Sequence, residues 1–132
     1  MSQTNKVLAK LDGHRDAVQS IAWSPDGKWL ATGGYRVVRI WDEELKTARE
    51  LSALEGRVTA LRFAEDNATL FTADGAPASS GLVRRWKLAD GKPVAKWRAH
   101  GDTIYGLSAS RDGKLLATAG ADGVAKVWDL AT

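Results

Sequence analysis

Ser20–Gly34 reads "SIAWSPDGKWLATGG", and its reading decides the fold. Both arms are rich in β-branched, aromatic and small residues, and Pro25-Asp26-Gly27 stands between them. An Asp-Gly pair supplies the positive φ that a tight hairpin turn requires. The stretch therefore predicts two short antiparallel strands. The design returns at Ser108–Gly123, "SASRDGKLLATAGADG", and more loosely around Asp66-Asn67.

Working outward, the whole chain is three copies of one unit. Val18, Val58 and Ile104 serve as equivalent origins. Ten residues before them lie Leu8, Ala48 and Val94, and seven before lie Leu11, Leu51 and Trp97. Eight after come Asp26, Asp66 and Asp112, and fourteen after come Thr32, Thr72 and Thr118. Each copy then reaches a tryptophan, Trp41, Trp86 or Trp128, and all variation in length falls between the threonine and that tryptophan. Insertions confined to one place mark an exposed loop. The longest version contains "ADGAPASSG", Ala73–Gly81, read as a tolerated insertion or a binding loop.

Each unit reads as four strands, with "AVQSIAWS", "KWLATGG", "VVRIWD" and "TARELSAL" in the first copy. No segment has long helical periodicity with caps, so the class is all-β. A unit of about forty residues with four antiparallel strands and a Trp-Asp ending resembles a WD-repeat β-propeller blade. The residues that carry the resemblance are Gly13-His14, Trp41-Asp42, His100, Trp128-Asp129 and the two quoted hairpins. It implies a single domain of three blades: an outer strand at about 6–11, blade 1 at about 17–54, blade 2 at about 57–99 and blade 3 at about 103–130. It also implies a hydrogen-bonded set of His, Thr, Asp and Trp in each blade. The third copy has all four as His100, Thr118, Asp122 and Trp128; the first has His14, Thr32 and Trp41, with Tyr35 in place of the Asp. The second keeps Thr72 and Trp86 but has Leu54 and Ser80 at the other positions, so blade 2 is expected to hold by apolar packing alone and blade 3 to be the most rigid.

Composition narrows the function. The chain has 132 residues, 44% hydrophobic, enough for one modest domain and too apolar for disorder. No apolar run is long enough to span a bilayer, and "MSQTNKVLAKLDGH" lacks the apolar stretch of a secretory signal. There is no cysteine, which fits a cytoplasmic location. His14 with Asp16, and His100 with Asp102, imitate metal ligands, but two histidines without cysteine fall short of a zinc set. Neither a Gly-x-Ser-x-Gly nucleophile nor a phosphate loop is present. Catalytic residues, metal and cofactor are all expected to be none.

The third copy stops after its third strand, at "AKVWDLAT", whereas Lys6–Leu11, "KVLAKL", lies in the register of a fourth strand. The strands then number twelve, enough for three blades. Propellers have typically four to eight blades, so three cannot close a circle. The expected resolution is a ring of identical chains, the Lys6, Leu8 and Leu11 strand of one meeting Val124 and Val127 of the next. Two chains give six blades and three give nine. The trimer is preferred because a wider ring gives the Ala73–Gly81 loop more room. The rival reading is a fragment of a longer propeller.

The resemblance implies a platform for a protein or peptide, contacted by loops entering the first strand and leaving the second. These carry Arg15, Tyr35, Arg36 and Arg57, with Gln19, Thr59 and Tyr105 just inside. Arg and Tyr are enriched at binding hot spots, and three arginines favour an acidic partner. One alternative is a self-assembling ring or fragment without a ligand. Another is nucleic-acid binding through "RRWK", Arg84–Lys87, but alternation sends Arg84 and Arg85 to opposite faces of a strand. Arg85 itself stands where the other copies have Ile40 and Val127. It is read as a stem on apolar surface with its head in water, or as a cation paired across a boundary.

Overall fold

The computed structural model describes residues 5–131, and among these there are strands and turns but no helix. Strands β1 (Ser20–Trp23), β2 (Leu30–Gly33), β3 (Val38–Trp41) and β4 (Thr47–Leu51) form one antiparallel sheet in that order. A second sheet runs β5 (Ala60–Phe63), β6 (Thr69–Asp74), β7 (Gly81–Lys87) and β8 (Lys92–His100). The third has β9 (Ile104–Ala109), β10 (Leu115–Gly120) and β11 (Ala125–Asp129). These are blades 1, 2 and 3.

The hairpin turns form for the reason the sequence gives. Gly27, Asn67 and Gly113 have φ of 73°, 58° and 75°, a region that favours Gly and Asn. Ser24 Oγ donates to Asp26 Oδ1 (2.7 Å), and the same oxygen accepts from the Lys28 backbone N–H (3.0 Å). Ser110, Asp112 and Lys114 repeat the pattern. These side-chain bonds close the turn before the strands need to pair.

The inner strand β5 packs against β1 on one side and β9 on the other, so the three sheets stand as successive blades. Two apolar joints hold them. Val38, Ile40 and Leu51 of blade 1 meet Val58, Leu61 and Phe63 of blade 2. Phe71, Ala73 and Val83 of blade 2 meet Ile104 and Leu116 of blade 3, with Trp97 and Trp128 rings 5.8 Å apart at the periphery. Burying one such large side chain contributes about 1.5–3 kcal/mol.

Three features differ from the sequence reading. Lys6–Leu11 forms no strand; Val7 and Leu8 are 80% and 94% exposed. The segment pairs with none of the described strands, and an isolated strand has no bonds of its own. Eleven strands result among the described residues, not twelve. The expected loop Ala73–Gly81 is shorter, Gly75–Ser80, because β6 and β7 lengthen and continue pairing to Asp74↔Leu82. Nor does blade 2 hold by apolar packing alone, for it contains a buried ion pair.

That pair is Asp74–Arg84, 3% and 6% exposed. Arg84 donates from Nε to Asp74 Oδ1 (2.8 Å) and from Nη2 to Oδ2 (3.0 Å), and the Glu55 backbone N–H also donates to Oδ2 (2.6 Å). The repeat explains the site. Asp74 occupies the position of Gly34 and Gly120, and a Cβ there would lie 2.7 Å from Nδ1 of His14 or His100. Blade 2 has Leu54 in place of the histidine, so the space above is free for a carboxylate. A bidentate guanidinium satisfies that carboxylate where water cannot.

Candidate interaction face

Antiparallel pairing places the loops entering β1, β5 and β9 and those leaving β2, β6 and β10 at one end of the blades. The polar sets of blades 1 and 3 support this end from within. In blade 3 His100 Nδ1 lies 2.9 Å from Asp122 Oδ2, and Nε2 lies 2.8 Å from Thr118 Oγ1. A carboxylate only accepts, so Nδ1 carries the proton. Thr118 then donates to Nε2 and accepts from Trp128 Nε1 (3.0 Å). The hydrogen bond from His100 holds the Asp122 carboxyl below its usual range.

Blade 1 has the same chain without its last link. Trp41 Nε1 donates to Thr32 Oγ1 (2.9 Å), and His14 Nε2 lies 2.7 Å from that oxygen. His14 Nδ1 is buried with no partner among the described residues. Tyr35, 52% exposed, points to solvent where blade 3 has its carboxylate. Burial, followed by the nearby Arg39 charge, pushes the His14 imidazole below its ordinary pKa, with Glu50 opposing.

The candidate contact residues divide into two groups. Arg15, Tyr35, Arg36 and Arg57 come together over blade 1 and its seam with blade 2. Tyr35 pairs with Arg57 in an antiparallel bridge, Arg57 lies 5.8 Å over the Tyr35 ring, and Asp16 faces Arg57 at 3.8 Å. Arg36, with φ of 64°, donates its backbone N–H to Gly56 O (2.7 Å) and Nε to Leu54 O (3.2 Å). Gln19 is exposed beside the start of β1. Thr59 and Tyr105 lie apart: Thr59 Oγ1 donates to Ile104 O across the seam of blades 2 and 3, and Tyr105 stands 69% exposed on β9. The Gly75–Ser80 loop is tied to blade 3 entry by Ala78 N–H to Asp102 Oδ1 (2.7 Å) and to β8 by Arg98 to Ser79 O (2.9 Å). Asp102 Oδ1 also accepts from the Thr103 backbone N–H (2.7 Å), and the Ala78 and Thr103 donors hold the Asp102 carboxyl below its usual range.

At the joint positions, Val124 lies just before β11, 46% exposed, and Val127 on it is 68% exposed. Lys6, Leu8 and Leu11 lie in the unpaired segment. Arg85 is half-buried with its guanidinium 5.9 Å from the Phe71 ring. It lines a charged groove between blades 2 and 3 with Asp66, Arg111 and Asp112. The matching groove between blades 1 and 2 has Ile40 there and is mostly apolar, with Arg49 and Asn67 also on its walls. No group of three His, Cys, Asp or Glu placed to hold a metal ion occurs among the described residues.

A family model described as "WD domain, G-beta repeat" matches residues 5–42 and 91–129, together more than half of the chain. The chain belongs to the WD40 repeat family. The stretch between the two matches, 43–90, holds β4 of blade 1 and β5–β7 of blade 2, where Leu54, Asp74 and Trp86-Lys87 depart from the repeat pattern. Similar proteins include an anaphase-promoting complex subunit cdc20 of Dictyostelium discoideum, 26% identical across 93% of this chain. Cell division cycle 20.1, cofactor of APC complex, from Arabidopsis thaliana is 31% identical across 92%. The ribosome biogenesis protein WDR12 homolog of Chlamydomonas reinhardtii is also 31% identical across 92%. This WD40 chain spans only 24%, 26% and 29% of the lengths of these three. Proteins of the family typically act as scaffolds for protein interaction.

Proposed function

We propose that this WD40 chain is a non-catalytic, cytoplasmic protein-interaction scaffold whose blades close into a ring built from several identical chains. The observation that carries the reading is that the two free blade faces are the two halves of the joint already made twice inside the chain. On blade 1, Val18, Ile21 and Trp23 are 51%, 65% and 58% exposed, while their equivalents Val58, Leu61 and Phe63 are buried. On blade 3, Val127 and Leu115 are exposed in the positions of Ile40 and Trp29. A face of one chain thus fits the opposite face of another in a heterologous contact that closes by rotation. Apolar surface of this kind calls for a cover.

Strand exchange completes the joint. The outer side of β11 has no neighbour among the described residues, an open edge that pairs readily. The matched family segment 91–129 begins at β8, and 5–42 begins at the corresponding place, just before Lys6–Leu11. In the ring, Lys6–Leu11 of one chain lies along β11 of the next. Nine blades from three chains is preferred to six from two. The loop end of this ring presents Arg15, Tyr35, Arg36 and Arg57 to a protein or peptide partner.

Sedimentation velocity of the whole chain and of a chain lacking Lys6–Leu11 tests the reading. The whole chain is expected to sediment as a small multiple and the deletion as a single chain. Equal sedimentation of the two would overturn strand exchange.

A further inference from the structure

We propose that the cleft over blade 1 at the loop end is a docking site for an acidic peptide segment, with Arg15 and Arg36 taking its carboxylates. This rests on the scaffold reading and adds the chemistry of the partner. The cleft holds about 630 Å³, with Gly13, Arg15, Tyr35 and Arg36 among its walls. Four guanidiniums gather there or at its edge, and they are not equivalent. Arg39 is paired with Glu50 at 3.2 Å, and Arg57 faces Asp16 at 3.8 Å. Among the described residues, Arg15 and Arg36 have no carboxylate within ion-pair distance. Arg36 uses only Nε, on the Leu54 carbonyl. Its terminal amino groups remain as donors suited to a planar carboxylate.

The cleft is held in shape before any partner arrives. Arg36 sits at φ 64°, uncommon for a residue with a side chain. Its N–H bond to Gly56 and the Tyr35↔Arg57 bridge keep it there. Donors fixed in advance lose less freedom on binding, and backbone strain held by neighbouring contacts is a feature of ligand clamps. The exposed Tyr35 ring adds an amphipathic surface for a flanking side chain.

Charge elsewhere on the loop end limits the partner. Glu55, Asp102 and Asp122 stand on the side of blades 2 and 3. Asp102 and Asp122 are held below the usual carboxyl range and are ionised at neutral pH. The positive surface is therefore a local pocket over blade 1. A nucleic-acid backbone requires a longer basic track, so a short acidic stretch of protein is the better fit.

The test is fluorescence anisotropy on the full chain with a fluorescein-labelled glutamate-rich peptide, across a salt series. Arg15→Glu and Arg36→Glu are compared with Lys28→Glu, which makes the same charge change in the turn at the opposite end of blade 1. Both arginines are exposed, but Arg36 bonds the Leu54 carbonyl at the seam of blades 1 and 2, so native mass and melting temperature are read for each variant as controls. The peptide is expected to bind the unmodified chain, less tightly as salt rises. Each arginine variant is expected to weaken it by about tenfold or more, and Lys28→Glu by less than about twofold. Absence of peptide binding at unchanged native mass overturns the proposal and leaves the scaffold reading standing. So does an equal loss in Lys28→Glu, or tighter binding of a labelled single-stranded oligonucleotide lost in the same variants.

Discussion

His14 and His100 hold equivalent positions with different partners: His14 Nδ1 has none among the described residues, and His100 Nδ1 has Asp122. The folded pKa of His14 lies below the ordinary value of about 6.5. The unfolded chain therefore takes up a proton first, and stability is lost as pH falls from about 6.5 toward the folded value. Asp122 has the carboxylate sign. Its contribution is present above the usual carboxyl pKa of about 3.9 and is lost as pH falls through its lower folded value. Melting temperature followed from neutral to acid pH should decline in these two stages. Asp122→Asn should shrink the second, which Asp102 and the turn carboxylates Asp26, Asp66 and Asp112 share, and leave the first; a second stage unchanged by that substitution would contradict the assignment.

Two core substitutions carry larger effects. Thr118→Val strands the Trp128 N–H and the His100 Nε2 together and is expected to cost about 1–3 kcal/mol in denaturant unfolding. Asp74→Ala leaves Arg84 buried without its carboxylate and should cost about 3–5 kcal/mol, with much recovered when Arg84→Met is added. The His100 set could be read from the sequence because its four members recur at repeat positions. The Asp74–Arg84 pair could not be read one position at a time. Its signal is two linked departures, Leu54 for His and Asp74 for Gly, together with a basic residue two before Trp86. That last feature passes unnoticed because Arg39 and Lys126 hold the same place in the other blades.

Among the elements, the hairpins were legible because the turn chemistry is local: Asp26-Gly27, Asp66-Asn67 and Asp112-Gly113 each fold by their own side-chain bonds. Lys6–Leu11 is read as a strand from register alone, and a strand exists only with a neighbour. In the assembled protein its backbone amides should be protected from hydrogen exchange, and in a chain with Trp23→Asp they should exchange freely. Within the blades, β6 and β7 are flanked on both faces and linked by the buried ion pair. They should exchange slowest. Slower exchange in β9–β11 would restore blade 3 as the most rigid, as the polar residues alone had led one to expect.

For the whole molecule, the repeat register dictated three blades, and the structure adds what register cannot give: the free faces of blades 1 and 3 match the buried sides of the two internal joints. Spacing alone put three arginines, Arg15, Arg36 and Arg57, on the loop end. In three dimensions they cluster over blade 1, opposite carboxylates over blades 2 and 3. The central claim is that those faces find each other between copies. Native mass spectrometry of the purified chain tests it most directly. A species of three times the 14.2 kDa chain mass is predicted, or of twice that mass for the six-bladed ring; a folded species of one chain mass would contradict the account.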